Sequence, residues 1–423
     1  MEQLLHYVWK YKIFPLTELR TSTGASVEVI DPGLSNMHAG PDFFNAKIKI
    51  DGTLWVGNVE IHSISSDWYK HNHHTDKAYD SVILHIASEV NEDVRRSDGV
   101  AIPQLKLECP EHIRLRYDEL RQADMRPPCY SILPSLPKLT VHSWFSALQA
   151  ERFEQKTAVI KERLKKLDNH WEDTFFITLA RNFGFGVNGD AFETWANLLS
   201  FRAIDKHRDN AIQIEAFFFG QAGLLDEDLK EDAYYAELQK EYRFLKHKFE
   251  LKQMDATLWR FLRMRPGNFP HIRIAQLAYL YGRERGLFSQ IVDAKTVSEI
   301  RQILSVQTSL YWKERYIFGK KSPGKDKTLG KGSLDLIVIN TVVPFLYAYG
   351  LYKGDEQLCD KATSFLEEVK AEKNYITRMW DGAGLPVNTA ADSQALIQLQ
   401  KEYCDKKKCL YCRFGYEYLR KIK

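Results

Sequence analysis

No run of about 18 apolar residues occurs in this 423-residue chain, which argues against a membrane-spanning helix. The opening, Met1-Glu2-Gln3-Leu4-Leu5-His6-Tyr7-Val8-Trp9, has no basic lead-in and no small-residue cleavage site, so no secretory leader is expected. It reads instead as an amphipathic helix. Cysteine is sparse: six in all, three of them bunched near the end, which does not make the disulfide framework of a secreted protein. These absences favour a cytoplasmic protein that stays off membranes. Charge of one sign is also scarce, with a net +3 overall. That sum hides an asymmetry, roughly −5 over residues 1–126 against +8 over the rest, and the basic part could face a polyanion.

Two familiar motifs are missing as well. There is no His-Glu-x-x-His zinc motif. The Gly/Lys-rich stretch Lys320-Lys321-Ser322-Pro323-Gly324-Lys325-Asp326-Lys327-Thr328-Leu329-Gly330-Lys331-Gly332 fails as a phosphate loop, because the Gly324–Gly330 gap is one residue too long and Gly332 stands where a hydroxyl should hold magnesium. It reads as a plain solvated loop or as a flexible basic loop over nucleic-acid phosphates, with Lys320, Lys321, Lys325 and Lys327 as the candidate contacts. Arg265 and Arg273, in the aromatic/arginine stretch 259–273, are further nucleic-acid candidates, since arginines with aromatics suit backbone clamping and base stacking.

What is present concentrates near the N-terminus. Gly40-Pro41-Asp42-Phe43-Phe44 and Gly57-Asn58-Val59-Glu60-Ile61-His62 flank a two-residue turn, Asp51-Gly52, which predicts a β-hairpin. Strand alternation puts Asn58, Glu60 and His62 on one face, and Asp42 with Phe44, Ala46, Ile48 and Ile50 on one face of the preceding strand. An acid on one strand and an acid-x-base on its partner suit a divalent cation. Hard oxygen ligands point to Mg²⁺ or Mn²⁺. Asp67 to Asp80 follows, with His71, His73, His74, Asp76 and Tyr79 as candidates lining a substrate cleft, or as part of a zinc site together with His62. Near the end, Cys404-x4-Cys409-x2-Cys412 could hold zinc or an iron–sulfur cluster, with Cys359, Cys129 or Cys109 as a fourth ligand.

The fold expected is an α+β N-terminal domain over 1–126, a mixed sheet flanked by helices. A proline-rich linker over 127–139 and an all-α domain over 140–423 follow, the latter ending in the cysteine cluster. Strands are expected at 26–30, 81–87 and 102–107.

Pro41-Asp42, then seventeen residues, then Glu60-Ile61-His62 resembles the signature of the PD-(D/E)xK nuclease superfamily. The resemblance implies a restriction-endonuclease-like core in which Asp42, Glu60 and the Ile61 carbonyl hold the metal. His62 stands at the place of the motif's lysine, as base, metal ligand or pH-dependent cation. Lys47, Lys49 or Lys70 would otherwise supply the charge. The implied function is metal-dependent cleavage of nucleic acid. The alternatives are a non-catalytic nucleic-acid-binding scaffold on a degenerate nuclease fold and a zinc hydrolase built on the histidines. Over nearly its full length, through Gly-Pro-Asp-Phe, Val-Glu-Ile-His, Ser66-Asp67-Trp68-Tyr69-Lys70-His71-Asn72-His73-His74, Arg265-Pro266-Gly267-Asn268-Phe269-Pro270 and Asn388-Thr389-Ala390-Ala391-Asp392-Ser393-Gln394-Ala395-Leu396, the chain also resembles a bacterial family catalogued as a domain of unknown function (2851).

Overall fold

The computed structural model describes residues 2–14, 19–36, 38–123, 126–229 and 231–421. The chain forms two compact units, Met1–Leu136 with Gln400–Lys423, and Pro137–Leu399.

The first unit is built on a mixed sheet. Helix α1 (Glu2–Lys10) buries Leu4, Leu5, Tyr7, Val8 and Trp9. Strands β1 (Val27–Asp31), β2 (Leu34–Ser35), β3 (Phe43–Ile50) and β4 (Thr53–Ile64) pair antiparallel, β1 and β2 both against β3, and β3 against β4. Asp51 and Gly52 both take left-handed φ (46° and 78°), the conformation that lets a two-residue turn follow the strand twist. After α2 (Asp67–Lys70) and two short 3₁₀ turns, His73–Thr75 and Lys77–Tyr79, strand β5 (Val82–Glu89) runs parallel to β4. Strand β6 (Gln104–Lys106) runs parallel to β5, giving the order β1-β3-β4-β5-β6.

Leu5, Val8 and Trp9 of α1 share a core with Phe43, Ile48, Val59, Ile61, Leu84 and Ile86. Each such side chain contributes about 1.5–3 kcal/mol on burial. The C-terminal half of β4, Val59 to His62, is buried throughout, as befits a central strand covered on both faces. A central strand of this kind normally carries only apolar residues. Here it carries Glu60 and His62.

The hairpin departs from simple alternation at one point. The β3–β4 register shifts between Phe43 and Ala46, where Asn45 takes φ 56°. The extra residue inverts the faces ahead of it, so Phe43, not Phe44, joins Ala46 and Ile48 in the core, and Asp42 does not share their face through simple parity. The expected proline linker is also not bare. Pro128–Ser135 forms a 3₁₀ helix that packs on α3 (Glu111–Gln122) and on the last helix, Arg413–Arg420.

The second unit is helical from α4 (Lys138–Lys166) onward, except for a two-stranded ribbon of Arg315–Ile317 and Lys320–Lys321 and one isolated bridge, Lys370 to Thr389. Its core is aromatic, with Phe175, Phe176, Trp195, Phe217, Phe218, Phe219 and Trp312 all buried. One helical stretch, Lys331–Lys353, is long and apolar enough to cross a membrane by length and composition, and it is mostly buried in this unit. The helical domain expected over 140–423 is thus shorter, because residues 400–423 return to the first unit.

Candidate metal centre

The two carboxylates of the hairpin hold each other's strands. Asp42 Oδ2 accepts the Ile61 N–H at 2.9 Å, and Glu60 Oε2 accepts the Asp42 N–H at 3.0 Å. This reciprocal pair fixes the entry to β3 against β4 beside the bulge. It leaves Glu60 Oε1 facing a group of histidines.

His62 is on β4, His71 caps the C-terminus of α2, and His73 opens the next 3₁₀ turn. Asn72 between the last two takes a left-handed φ of 62°, which reverses the chain there. His62 Nε2 lies 3.1 Å from His71 Nδ1 and 3.7 Å from Glu60 Oε1, and His73 Nε2 lies 3.3 Å from the same oxygen. One ligand nitrogen from each of the three histidines lies within 4.8 Å of the others. A tetrahedral ion bound at 2.0–2.1 Å sets its ligand atoms about 3.3 Å apart. The 3.1, 3.3 and 3.7 Å spacings bracket that edge, so the three imidazoles, with Glu60 beside two of them, suit a metal of zinc type. Trp68, fully buried, stands edge-on to His73 and His85 and anchors its indole N–H on the Arg95 carbonyl at 2.9 Å.

Behind His62 stand two further polar side chains, His85 and Gln104. Gln104 Nε2 donates to the Glu92 carbonyl at 3.0 Å, which turns its Oε1 toward His85, its register partner across β5 and β6. His85 Nδ1 and Gln104 Oε1 each lack a hydrogen-bond partner among the described residues, and the nearby Gln104 side chain opposes the lowering of the His85 pKa by burial. A proton on His85 Nδ1, the nitrogen on the Gln104 side, would leave Nε2 as the acceptor. His62 Nδ1, 2.8 Å away, must then be the donor. This order leaves the lone pair of His62 on Nε2, aimed at Glu60 and His71. Metal-binding histidines are held in one tautomer in this way.

The electrostatics agree. Burial, reinforced by the neighbouring imidazoles, pushes the His62 pKa down to about 2. Burial also lowers His73, and lowers His85 to about 4. Glu60 is driven up, first by burial and then by the Asp42 charge. His6, on α1, has its Nε2 3.3 Å from Asp42 Oδ2; burial opposes its charge, but Asp42 outweighs that and raises its pKa. Tyr79, stacked on His73 at 3.8 Å between ring centres, is pushed up to about 12 by burial and nearby carboxylates. A bare site with two adjacent acids must keep a proton, and a divalent cation would relieve the same repulsion.

Residues 2–375 match the family described as "Protein of unknown function (DUF2851)". The chain belongs to that family. No curated protein and no solved structure matches it.

In this DUF2851 member the other sequence candidates scatter. His74 rests against Tyr69, with ring centres 5.1 Å apart, and Asp76 caps the Ala78 N–H at 2.9 Å, so both have local structural partners. Lys49 pairs with Glu28 at 3.2 Å and Lys70 with Asp67 at 2.6 Å, and neither is drawn to the carboxylates. With its low pKa, His62 is not a cation standing in for lysine either.

The basic loop starts in the ribbon described above, at Lys320–Lys321, and runs on through 322–330 outside helix and strand. Lys320, Lys321 and Lys325 are exposed on it, and Lys320 also lines a cavity of about 1040 Å³ with Phe261, Phe269 and His271. Lys327 is buried instead, donating to the Lys313 and Lys325 carbonyls at 3.0 Å and lying 4.0 Å from the Tyr316 ring centre. Arg273 is buried too, bonded to Asn268 and Gln276 over the Phe185 ring. Neither can reach a phosphate, whereas Arg265 remains exposed.

Sequence reasoning passed over His6, His85 and Gln104. The one available signal was a titratable residue, His85, inside the otherwise apolar run Val82-Ile83-Leu84-His85-Ile86-Ala87.

Proposed function

We propose that this chain is a metal-dependent phosphodiester hydrolase whose ion is held by a histidine-rich centre. The observation that carries the reading is the convergence of His62, His71 and His73, with Glu60 Oε1 3.7 Å from His62 Nε2 and 3.3 Å from His73 Nε2. Three imidazoles with one carboxylate favour zinc, or manganese or iron, over magnesium. This shifts the cofactor from the Mg²⁺ that Asp42 and Glu60 alone suggest. A bound ion would lower the pKa of a water and neutralise charge building on phosphoryl oxygens.

Around it, Asp42 fixes the β4 backbone, and the His6–Asp42 pair is placed to hold and pass a proton. The substrate class rests on the resemblance to PD-(D/E)xK nucleases. It is supported by the order of a helix, three antiparallel strands, a short helix and a strand parallel to β4, with the first acid at the start of β3 and the acid-x-histidine on β4. The exposed Lys320, Lys321 and Lys325 suit contact with nucleic-acid phosphates.

The test uses the full chain, stripped with a chelator and titrated with Zn²⁺, Mn²⁺ and Mg²⁺. Zn²⁺ or Mn²⁺ should bind more tightly than Mg²⁺. Metal should support cleavage of single- or double-stranded DNA or RNA. Asp42→Ala and Glu60→Ala should abolish cleavage, and His71→Ala combined with His73→Ala should abolish zinc binding, with circular dichroism unchanged. Binding without cleavage of any nucleic acid would favour a zinc hydrolase of another substrate. Absence of both would favour the non-catalytic scaffold.

A further inference from the structure

Four of the six cysteines meet in the first unit, away from the histidines just described. Cys129 sits on the 3₁₀ helix Pro128–Ser135. Cys404 ends the π-helical turn Leu399–Cys404, Cys409 opens the turn Cys409–Tyr411, and Cys412 caps the helix Arg413–Arg420. That last helix packs on both the Cys129 helix and the Cys409 turn. Cys129 shares an apolar layer with Leu410 and Leu419, and Cys409 packs against it.

The thiols are near enough for their charges to act on one another. Cys404 feels Cys412, Cys129 and Cys409, and Cys129 feels Cys412 and Cys409. The other two cysteines stand apart. Cys109 feels Arg114 and none of the four, and Cys359 belongs to the helical unit. None of the six is in a disulfide.

Local structure is shaped to this approach. A Cβ at Gly415 would collide with the Cys409 carbonyl oxygen, so glycine lets the last helix close over the Cys409–Cys412 turn. The turn is closed by the Cys412 N–H on the Cys409 carbonyl at 3.3 Å. Asp405, an acid whose charge acts on Cys404, is engaged by Gln400 Nε2 at 2.7 Å. The donors that converge are therefore sulfur alone.

We propose that Cys129, Cys404, Cys409 and Cys412 bind an iron–sulfur cluster. Two observations select it over zinc. A tetrahedral zinc at 2.3 Å draws its sulfurs to about 3.8 Å apart. Among the described residues, no three of these sulfurs lie within 4.8 Å of one another. A cluster, with its ligands distributed over several irons, accepts wider spacing. The separation Cys-x4-Cys-x2-Cys, with a fourth cysteine remote in sequence, is also that of plant-type ferredoxin ligands. In assembly from inorganic sulfide and iron supplied as Fe³⁺ for a two-iron cluster, or as equal Fe³⁺ and Fe²⁺ for a four-iron cluster, each thiol loses its proton and forms one Fe–S bond, with no net redox change. The cluster would fasten residues 404–412 to Cys129, 275 positions earlier.

The experiment takes the full-length chain purified without oxygen, measuring iron, acid-labile sulfide and zinc together with the visible spectrum before and after dithionite. About two to four irons per chain, matched by sulfide, and a visible band that bleaches on reduction are expected. One zinc without iron overturns the proposal. So does a chain that holds no metal and takes up none from mixed ferric and ferrous iron with sulfide under anaerobic conditions.

Cys129→Ser, Cys404→Ser, Cys409→Ser and Cys412→Ser should each lose the iron, while Cys109→Ser and Cys359→Ser keep it. Full iron in Cys129→Ser would overturn the assignment of the fourth ligand. Should a variant fail to fold, alkylation of the unmodified protein decides. Iodoacetamide should label these four cysteines only after the cluster is removed by ferricyanide and chelator, and equal labelling before and after overturns the site.

Discussion

Replacing His85 with phenylalanine tests the polar side chains behind the metal centre. The ring shape is kept, but the acceptor 2.8 Å from His62 Nδ1 is lost. His62 is 1% exposed, so water does not readily replace it. His62 is then free to carry its proton on Nε2, where it cannot bind an ion. Outer-shell losses of this kind cost about 10–100-fold in metal affinity, or roughly 1.4–2.7 kcal/mol. His62 Nδ1 is left without its partner, and an unpaired buried group costs about 1–3 kcal/mol of stability, partly offset by burying the new ring. The assay is calorimetric titration of Zn²⁺ into chelator-stripped full-length protein near neutral pH, with thermal melts to confirm folding. Gln104→Glu keeps an acceptor for His85 and should retain affinity, whereas Gln104→Leu should not. A folded His85→Phe chain with undiminished zinc affinity would refute the argument that His85 sets the His62 tautomer.

Glu215 gives a pH prediction in the helical unit. It is 5% exposed, accepts only weakly from Ser309 Oγ at 3.3 Å, and burial raises its pKa from 4.5 to about 8. The folded state therefore holds a proton that the unfolded state releases, so stability should fall as pH rises from about 4.5 to about 8 and then level, by at most about 5 kcal/mol. Glu215→Gln should flatten that part of a denaturation series, and an unchanged slope would disprove the assignment. Neutralising Lys320, Lys321 and Lys325 together should weaken nucleic-acid binding and reduce its salt dependence, as measured by fluorescence anisotropy. Lys327→Met should instead lower the melting temperature, and a direct loss of salt-dependent affinity without destabilisation would contradict its buried position. Gly415→Ala should destabilise the last helix, read as earlier proteolysis near residues 404–412; a chain as resistant as the parent would show that the turn can yield.

The hairpin was legible because two local rules agreed: a turn that demands left-handed φ, and alternating residues on either side of it. The bulge at Asn45 was not, since one inserted residue leaves no compositional mark yet inverts the faces ahead of it. The gathering of His62, His71 and His73 was half visible, as a histidine-rich stretch beside an acid. Its geometry depended on a reversal at Asn72 and on the parallel placement of β5, both set by packing at a distance. His6 looked like the polar side of an amphipathic helix, and His85 like an interruption in a strand. Lys327 and Arg273 misled for the opposite reason: their long side chains can turn inward when carbonyls and rings are there to receive them, and charge counting does not register that.

The interposed helical unit has a consequence for synthesis. Between Leu136 and Gln400 the ribosome must add the 263 residues of Pro137–Leu399. At about 5–20 residues per second that takes roughly 10–50 s. Throughout that interval Leu4, Tyr7, Ile113 and Leu120 have been made, but Leu410 and Leu419, which later pack with them, have not. The nascent sheet unit must therefore wait with part of its apolar surface uncovered. Premature termination anywhere in the helical unit would leave that surface open for good, marking the truncated product for chaperone capture or degradation even where the sheet itself had formed.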